Sequence, residues 1–257
     1  MSSILPSGST LPSRRLPHIN ECSVKVTESF RHSRPNSQAR YRQRTGMEEA
    51  YVPPRSASIE DPLRIAVLIS GGGSGLAALL RYQETEARAH QTVLVIADSE
   101  DAGGLEHGLS RGIETLGISL PAIEDKLQRR LGHEELVHNA LVNADVELVV
   151  LSGYMRILTP SFVKRWKGRL VNIHPSLLPK YPGAHAHRDA LADGATVSGC
   201  TVHLVDEGVD SGMILAQSEV PVHPEDTESD LQERIKKVEH MLYPEVLDRL
   251  SVGGYSV

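Results

Sequence analysis

From Leu63 onward, short continuous β-branched runs alternate with longer amphipathic stretches, and this alternation confines the chain to an α/β architecture more than any other feature. Arg64-Ile65-Ala66-Val67-Leu68-Ile69, Thr92-Val93-Leu94-Val95-Ile96-Ala97 and Glu147-Leu148-Val149-Val150-Leu151 are apolar at nearly every position. Strands buried on both faces of a parallel sheet have this pattern. Between them, Leu76 to Arg88 and Leu131 to Asn143 have helical periodicity, which makes the segments right-handed βαβ units wound about one sheet. Further strands are expected near 169–173, 197–204 and 213–220, then a closing helix from about Asp226 to Leu250. The predicted fold is a Rossmann-like, doubly wound, mostly parallel sheet with helices on both faces.

Composition limits the function classes. The chain has 257 residues, 40% of them hydrophobic, enough for a sizeable core, and with only 4% aromatic that core falls to Val, Leu, Ile and Ala. A net charge of −6 argues against a general nucleic-acid or anionic-membrane binder, which needs clustered Lys and Arg. No apolar run approaches the roughly 18 residues that cross a bilayer. Cys22 and Cys200 are far apart and have no metal or redox spacing, so neither a disulfide scaffold nor a metal site is expected, and a reducing cytoplasm is the expected compartment. Small molecules are the expected partners, with the protein a monomer or homodimer. Residues 1–46 differ from the rest: eight Lys or Arg against two acids, rich in Ser and Pro, without apolar periodicity. Such a stretch cannot bury enough surface to offset its entropy. It reads as a disordered tail or an upstream extension of a start at Met47, with a transit peptide as the alternative. The expected organisation is an N-terminal extension over 1–60 and a single domain over 61–257.

Two segments carry candidate chemistry. The first strand runs into Ser70-Gly71-Gly72-Gly73-Ser74-Gly75 just before a helix. Successive glycines allow a sharp turn that presents N–H groups at a helix N-terminus, a favourable place for a phosphate. The loop does not match the dinucleotide fingerprint, because the third glycine would fall at Leu76, and it lacks the lysine of a P-loop. A ligand-free strand-to-helix turn is the bland alternative.

The second segment is Leu170-Val171-Asn172-Ile173-His174-Pro175-Ser176-Leu177-Leu178-Pro179, with Asp210 downstream in a Gly-bracketed turn. Asn172 and His174, two apart on a strand, project to one side of it, and Pro175 and Pro179 stiffen the loop after the strand. Singly, each is more often structural; together, amide, imidazole and carboxylate are what oxyanion stabilisation with proton movement requires. Other residues have simpler readings. His185 and His187 are expected to cap a helix or pack a loop rather than bind zinc, His203 to be buried near the site, and Lys236-Lys237 to lie on a solvated face. Tyr154 and Met155 suit core or pocket wall equally.

Asn172-Ile173-His174-Pro175-Ser176-Leu177-Leu178-Pro179-Lys180-Tyr181-Pro182-Gly183, with Gly199-Cys200-Thr201-Val202-His203, Asp210-Ser211-Gly212, Ile69-Ser70-Gly71 and Gly153-Tyr154-Met155-Arg156-Ile157-Leu158, resembles the folate-dependent formyltransferases over about residues 63–250. Within them the likeness is to members that formylate glycinamide ribonucleotide in purine synthesis, using 10-formyltetrahydrofolate as donor and no metal. The resemblance implies a formyltransferase fold with a nucleotide-phosphate half, about 63–155, and a folate and catalytic half, about 156–250. It implies Asn172, His174 and Asp210 as the catalytic trio. Folate binding falls to Met155, Arg156, Ile157 and Leu158, with Arg130 and Asn172. Phosphate binding falls to Gly73, Ser74 and Gly75, and ribose binding to Glu239. The family often has Asn where this chain has Gly72 and Gly75, so two side-chain amides are missing from the loop.

The implied chemistry is direct attack of the substrate amine on the formyl carbon, with the oxyanion stabilised by Asn172 and a charged His174 that Asp210 keeps protonated. Rivals remain. A formyltetrahydrofolate deformylase shares the trio but normally carries an N-terminal regulatory domain, for which residues 1–60 are too polar. A methionyl-tRNA formyltransferase needs a basic RNA-binding C-terminal domain. A non-enzymatic nucleotide-binding module would use the Gly-rich loop alone.

Overall fold

A computed structural model describes residues 55–253. The predicted leader lies mostly outside them. Its last residues do not: Arg55 pairs with Asp61 and Glu147 at 2.9 and 2.6 Å, and the Ala57 N–H donates to Ser251 O at 2.7 Å. These contacts join residues 55–57 to the rest of the described chain.

Seven strands form one sheet in the order β3-β2-β1-β4-β5-β6-β7. They are β1 Leu63–Ile69, β2 His90–Ala97, β3 Glu114–Gly117, β4 Leu148–Leu151, β5 Leu170–His174, β6 Val197–Leu204 and β7 Ile214–Pro221. The first five run parallel, and β6 and β7 are antiparallel to their neighbours, as the predicted mostly parallel sheet requires. The helices are α1 Ser74–Thr85, α2 Glu106–Leu109, α3 Lys126–Asn143, α4 Pro160–Arg165, α5 Ala186–Ala192 and α6 Glu228–Ser251.

The alternation of side chains along a strand splits the core in two. Leu63, Ile65, Val67 and Ile69 of β1 pack with Leu76, Leu79 and Leu80 of α1 and Val246, Leu247 and Leu250 of α6. Ala66 and Leu68 face the other way, against Val137 and Leu141 of α3 and Phe162 and Val163 of α4. Helix starts follow their local chemistry. Asp125 caps α3 through Gln128 N at 2.8 Å, Thr159 caps α4, and Thr227 with Asp230 forms a capping box on α6.

Strand order reverses between β1 and β4, and such a switch point opens a crevice beyond the carboxyl ends of the strands. Three devices build this crevice. Gly73, at φ 65°, takes the left-handed conformation open to glycine and caps α1 without any side-chain bond. The loop before it is fastened by Gly104 N to Gly71 O at 2.9 Å. The buried Tyr243 hydroxyl lies 3.0 Å from Leu151 O and 2.8 Å from Val171 O, tying α6 to the last residue of β4 and the second of β5.

The turn after β6 has equally little room. A Cβ on Gly212 would overlap the Leu204 carbonyl oxygen and lie 2.9 Å from its carbon. Gly212→Ala is expected to lower stability by about 1–3 kcal/mol, because backbone must shift to admit the methyl group. Chemical denaturation checks this, and an unchanged midpoint would refute it.

Candidate active site

The C-terminal ends of β1, β4 and β5 and the turn after β6 surround a cavity of about 710 Å³, within the size range of small-molecule sites. Asn172 and His174 reach it from β5, Asp210 from the turn, and Gly71 to Gly75 from the loop after β1. Segments from both halves of the described chain thus meet in one place.

His174 is 4% exposed. Its Nε2–H donates to Tyr181 O at 2.9 Å, and its Nδ1 lies 3.3 Å from Asp210 Oδ2. Tyr181 and Asp210 have φ of 54° and 50°, in the left-handed region that costs a non-glycine residue of order 1–3 kcal/mol when held there. Both strained residues therefore point an acceptor at the same ring. Asp210 Oδ2 also accepts from Gly183 N at 2.7 Å, and Oδ1 lies 3.6 Å from His203 Nε2. His203 lowers the pKa of Asp210 below its ordinary value, helped by the Gly183 N–H and the His174 ring against the opposing effect of burial. The carboxylate is thus ionised at neutral pH.

The charge expected on His174 meets an opposing effect. Burial lowers its pKa, outweighing the Tyr181 carbonyl and Asp210, which raise it, and His203 adds to the lowering. Desolvation opposes a cation that the surrounding groups only partly reward.

His203, expected from sequence as a buried neighbour, contacts the trio. Its Nδ1–H donates to Leu204 O at 2.9 Å, and its Nε2 lies 3.1 Å from Asn172 Nδ2. With the proton on Nδ1, Nε2 accepts from the amide.

The remaining predicted residues divide. Met155, Arg156, Ile157 and Leu158 line the cavity, and the Met155 N–H donates to Ser70 Oγ at 2.8 Å, joining this segment to the Gly-rich loop. Met155 and Ile157 are 76% and 69% exposed, an apolar pair at the mouth. Arg156 Nε lies 2.7 Å from Asp98 Oδ2. Arg130 is not among the lining residues; its guanidinium donates to Ile157 O at 2.5 Å, fixing the segment from behind. Gly73, Ser74 and Gly75 line the cavity at the start of α1, where first-turn N–H groups lack intrahelical partners. Glu239 lies on the same wall; burial pushes its carboxyl up to about 7, with Lys236 opposing. It has no hydrogen-bond or ion-pair partner among the described residues.

Two expectations change here. Lys236, expected on a solvated face, lines the cavity while pairing with Glu233 at 2.9 Å, and of the two lysines only Lys237 is exposed. His187 lines the cavity rather than packing a loop. His185 sits at the N-cap of α5 without a capping side-chain bond. Among the described residues no group of three or more His, Cys, Asp or Glu is arranged to hold a metal. None of their helices is long and apolar enough to cross a membrane.

The doubly wound sheet places this cavity at its switch point, where sheets of this class bind small molecules. The formyl transferase family model matches residues 63–247. The chain is 41% identical over 191 residues to phosphoribosylglycinamide formyltransferase of Escherichia coli, covering 74% of this chain and 88% of that protein. It is 47% identical over 192 residues to the trifunctional purine biosynthetic protein adenosine-3 of Drosophila melanogaster, covering 74% of this chain and 14% of that protein. The chain thus spans about one seventh of the longer relatives' length. Among solved structures, glycinamide ribonucleotide transformylase 1 from Symbiobacterium toebii superposes with a TM-score of 0.72 at 38% identity, covering 76% of this chain and 91% of that one. This chain belongs to the formyl transferase family.

Proposed function

We propose that this chain transfers the formyl group of 10-formyltetrahydrofolate to the amine of glycinamide ribonucleotide, a step of purine biosynthesis, with Asn172, His174 and Asp210 as the catalytic groups. The observation that carries this reading is the His174 ring held between the Tyr181 carbonyl and the Asp210 carboxylate, beside Asn172, on the wall of a ligand-sized cavity. Proteins named for this activity, matched over most of their length, support the choice of substrates.

The folate supplies the carbon that the amine attacks. Asn172 has two amide N–H groups; one is directed to His203, and the other serves the oxygen that gains charge. His174 is held between two acceptors while burial lowers its pKa, and negative charge developing on the formyl oxygen favours its protonated form. Asp210, ionised and already hydrogen-bonded, accepts the proton the amine loses, and that proton passes to the nitrogen as it departs. Gly73, Ser74 and Gly75 hold the phosphate through backbone N–H groups and Glu239 holds ribose hydroxyls. The segment 155–158, steadied by Arg130, takes the folate, whose rings cover Met155 and Ile157. The reading carries with it a cytoplasmic setting and a monomer or homodimer working on small molecules without a metal.

The test is the dependence of folate consumption on the acceptor. Tetrahydrofolate should appear only when glycinamide ribonucleotide is present, with one formylated product for each folate consumed. Formate release with folate alone would make the chain a deformylase, and no turnover would favour a binding module.

Glu239 adds a pH dependence. A carboxylate accepts from ribose hydroxyls at both oxygens, whereas its protonated form gives up part of that capacity. With a pKa near 7, it loses the ionised form as pH falls from about 8 to about 6, and kcat/KM for the ribonucleotide should fall with it, a titration that Glu239→Gln should abolish. Persistence of that ionisation in the variant would assign it to another group.

A further inference from the structure

Gly75 lacks a side chain where the resemblance implies an amide, and a neighbouring residue fills the space. A Cβ built on Gly75 would overlap Ser152 Oγ, while Ser152 Cβ would stay 3.7 Å away. Ser152 follows the last residue of β4, and its N–H donates to Leu68 O at 2.9 Å. The residue is thereby fixed at the switch point between β1 and β4. Its side chain lines the cavity, and its hydroxyl has no hydrogen-bond partner among the described residues. Gly75 is the second residue of α1, so this hydroxyl stands beside the first-turn N–H groups that face the cavity.

We propose that Ser152 is a substrate-contact residue whose Oγ–H donates to the phosphate of the bound ribonucleotide, occupying the place a side chain at position 75 would take. The identity of the ligand rests on the function proposed above; the geometry does not. A hydroxyl can rotate its proton toward an anion, and a phosphate at this helix terminus receives one side-chain donor besides the backbone N–H groups. Glycine at 75 is then a requirement of serine at 152, because even a methyl group there displaces the hydroxyl.

Ribose 5-phosphate, titrated calorimetrically, tests the contact without requiring turnover. Ser152→Ala should raise its Kd by roughly tenfold, as expected for a lost hydrogen bond to a charged group. KM for glycinamide ribonucleotide should rise by the same factor, with KM for the folate and kcat changed less than about twofold. Gly75→Ala should weaken ribose 5-phosphate binding about as much, yet add nothing further in the Ser152→Ala background, where its methyl group meets only the Cβ at an ordinary contact distance. Thermal melts establish that each variant is folded. Unchanged affinity in Ser152→Ala, or additive effects of the two substitutions, would overturn the proposal. A wild-type chain that binds ribose 5-phosphate through Ser152 but formylates nothing would overturn the function instead and leave the contact standing.

Discussion

Asp210→Asn is expected to lower kcat by about three orders of magnitude while changing either KM by less than about threefold. The substitution keeps size and shape, and the asparagine oxygen can still accept from Gly183 N, so the turn holding residue 210 should survive. What disappears is the negative charge 3.3 Å from His174 Nδ1 and the only acid of the trio. Without it, the amine has no ionised acceptor for its proton, and the ring gains no compensation for becoming charged in a buried place. Because these interactions strengthen as the reaction proceeds, their loss is felt in kcat rather than in binding. Steady-state kinetics at saturating folate provide the measurement. Turnover near that of the wild type would remove Asp210 from the mechanism.

Asn172→Ala is expected to reduce kcat by about 10²–10³, the usual cost of deleting one oxyanion donor. The amide is held in the middle of β5 by His203 at 3.1 Å, so it is oriented before substrate arrives. Its removal also leaves a buried imidazole nitrogen without its partner, so part of the loss comes from disorder of His203 beside Asp210. Asn172→Asp separates the two contributions: a carboxylate can still engage a protonated His203 but repels a developing oxyanion, and its kcat should fall at least as far as that of the alanine variant. A loss under about fivefold in either would mean that the oxyanion is stabilised elsewhere.

The sheet was legible where burial on both faces forced continuous apolar runs. β1, β2 and β4 are such strands, and they lie near the residues expected. β3 escaped notice because it is a four-residue edge strand, Glu114–Gly117, with no apolar run to mark it. The helices α2, α4 and α5, of four, six and seven residues, are too short for periodicity to emerge. On the cavity wall, Asn172, His174 and Asp210 were legible as a group because amide, imidazole and carboxylate together suggest oxyanion and proton chemistry. The partners that orient them were not: Tyr181 acts through a backbone carbonyl and Gly183 through an amide N–H, groups that every residue but proline has in full. The place of Lys236 was obscured by its lysine neighbour, since a pair of lysines suggests solvent. Gln232, Lys236, Glu239 and Tyr243 recur at three- and four-residue intervals along α6 and all line the cavity, so helical spacing held the signal that residue type concealed. Ser152 was hidden for another reason, since its role depends on the missing side chain at Gly75.

Central to the proposed mechanism is that the amide, the imidazole and the carboxylate work as one unit on a single formyl group. A double-mutant cycle on kcat for formyl transfer, with Asn172→Ala, Asp210→Asn and their combination, tests it most directly. The combined variant is predicted to be no more than about tenfold slower than the slower single variant, because each change alone already disables the unit. Losses that simply multiply would show two groups acting independently and would contradict it.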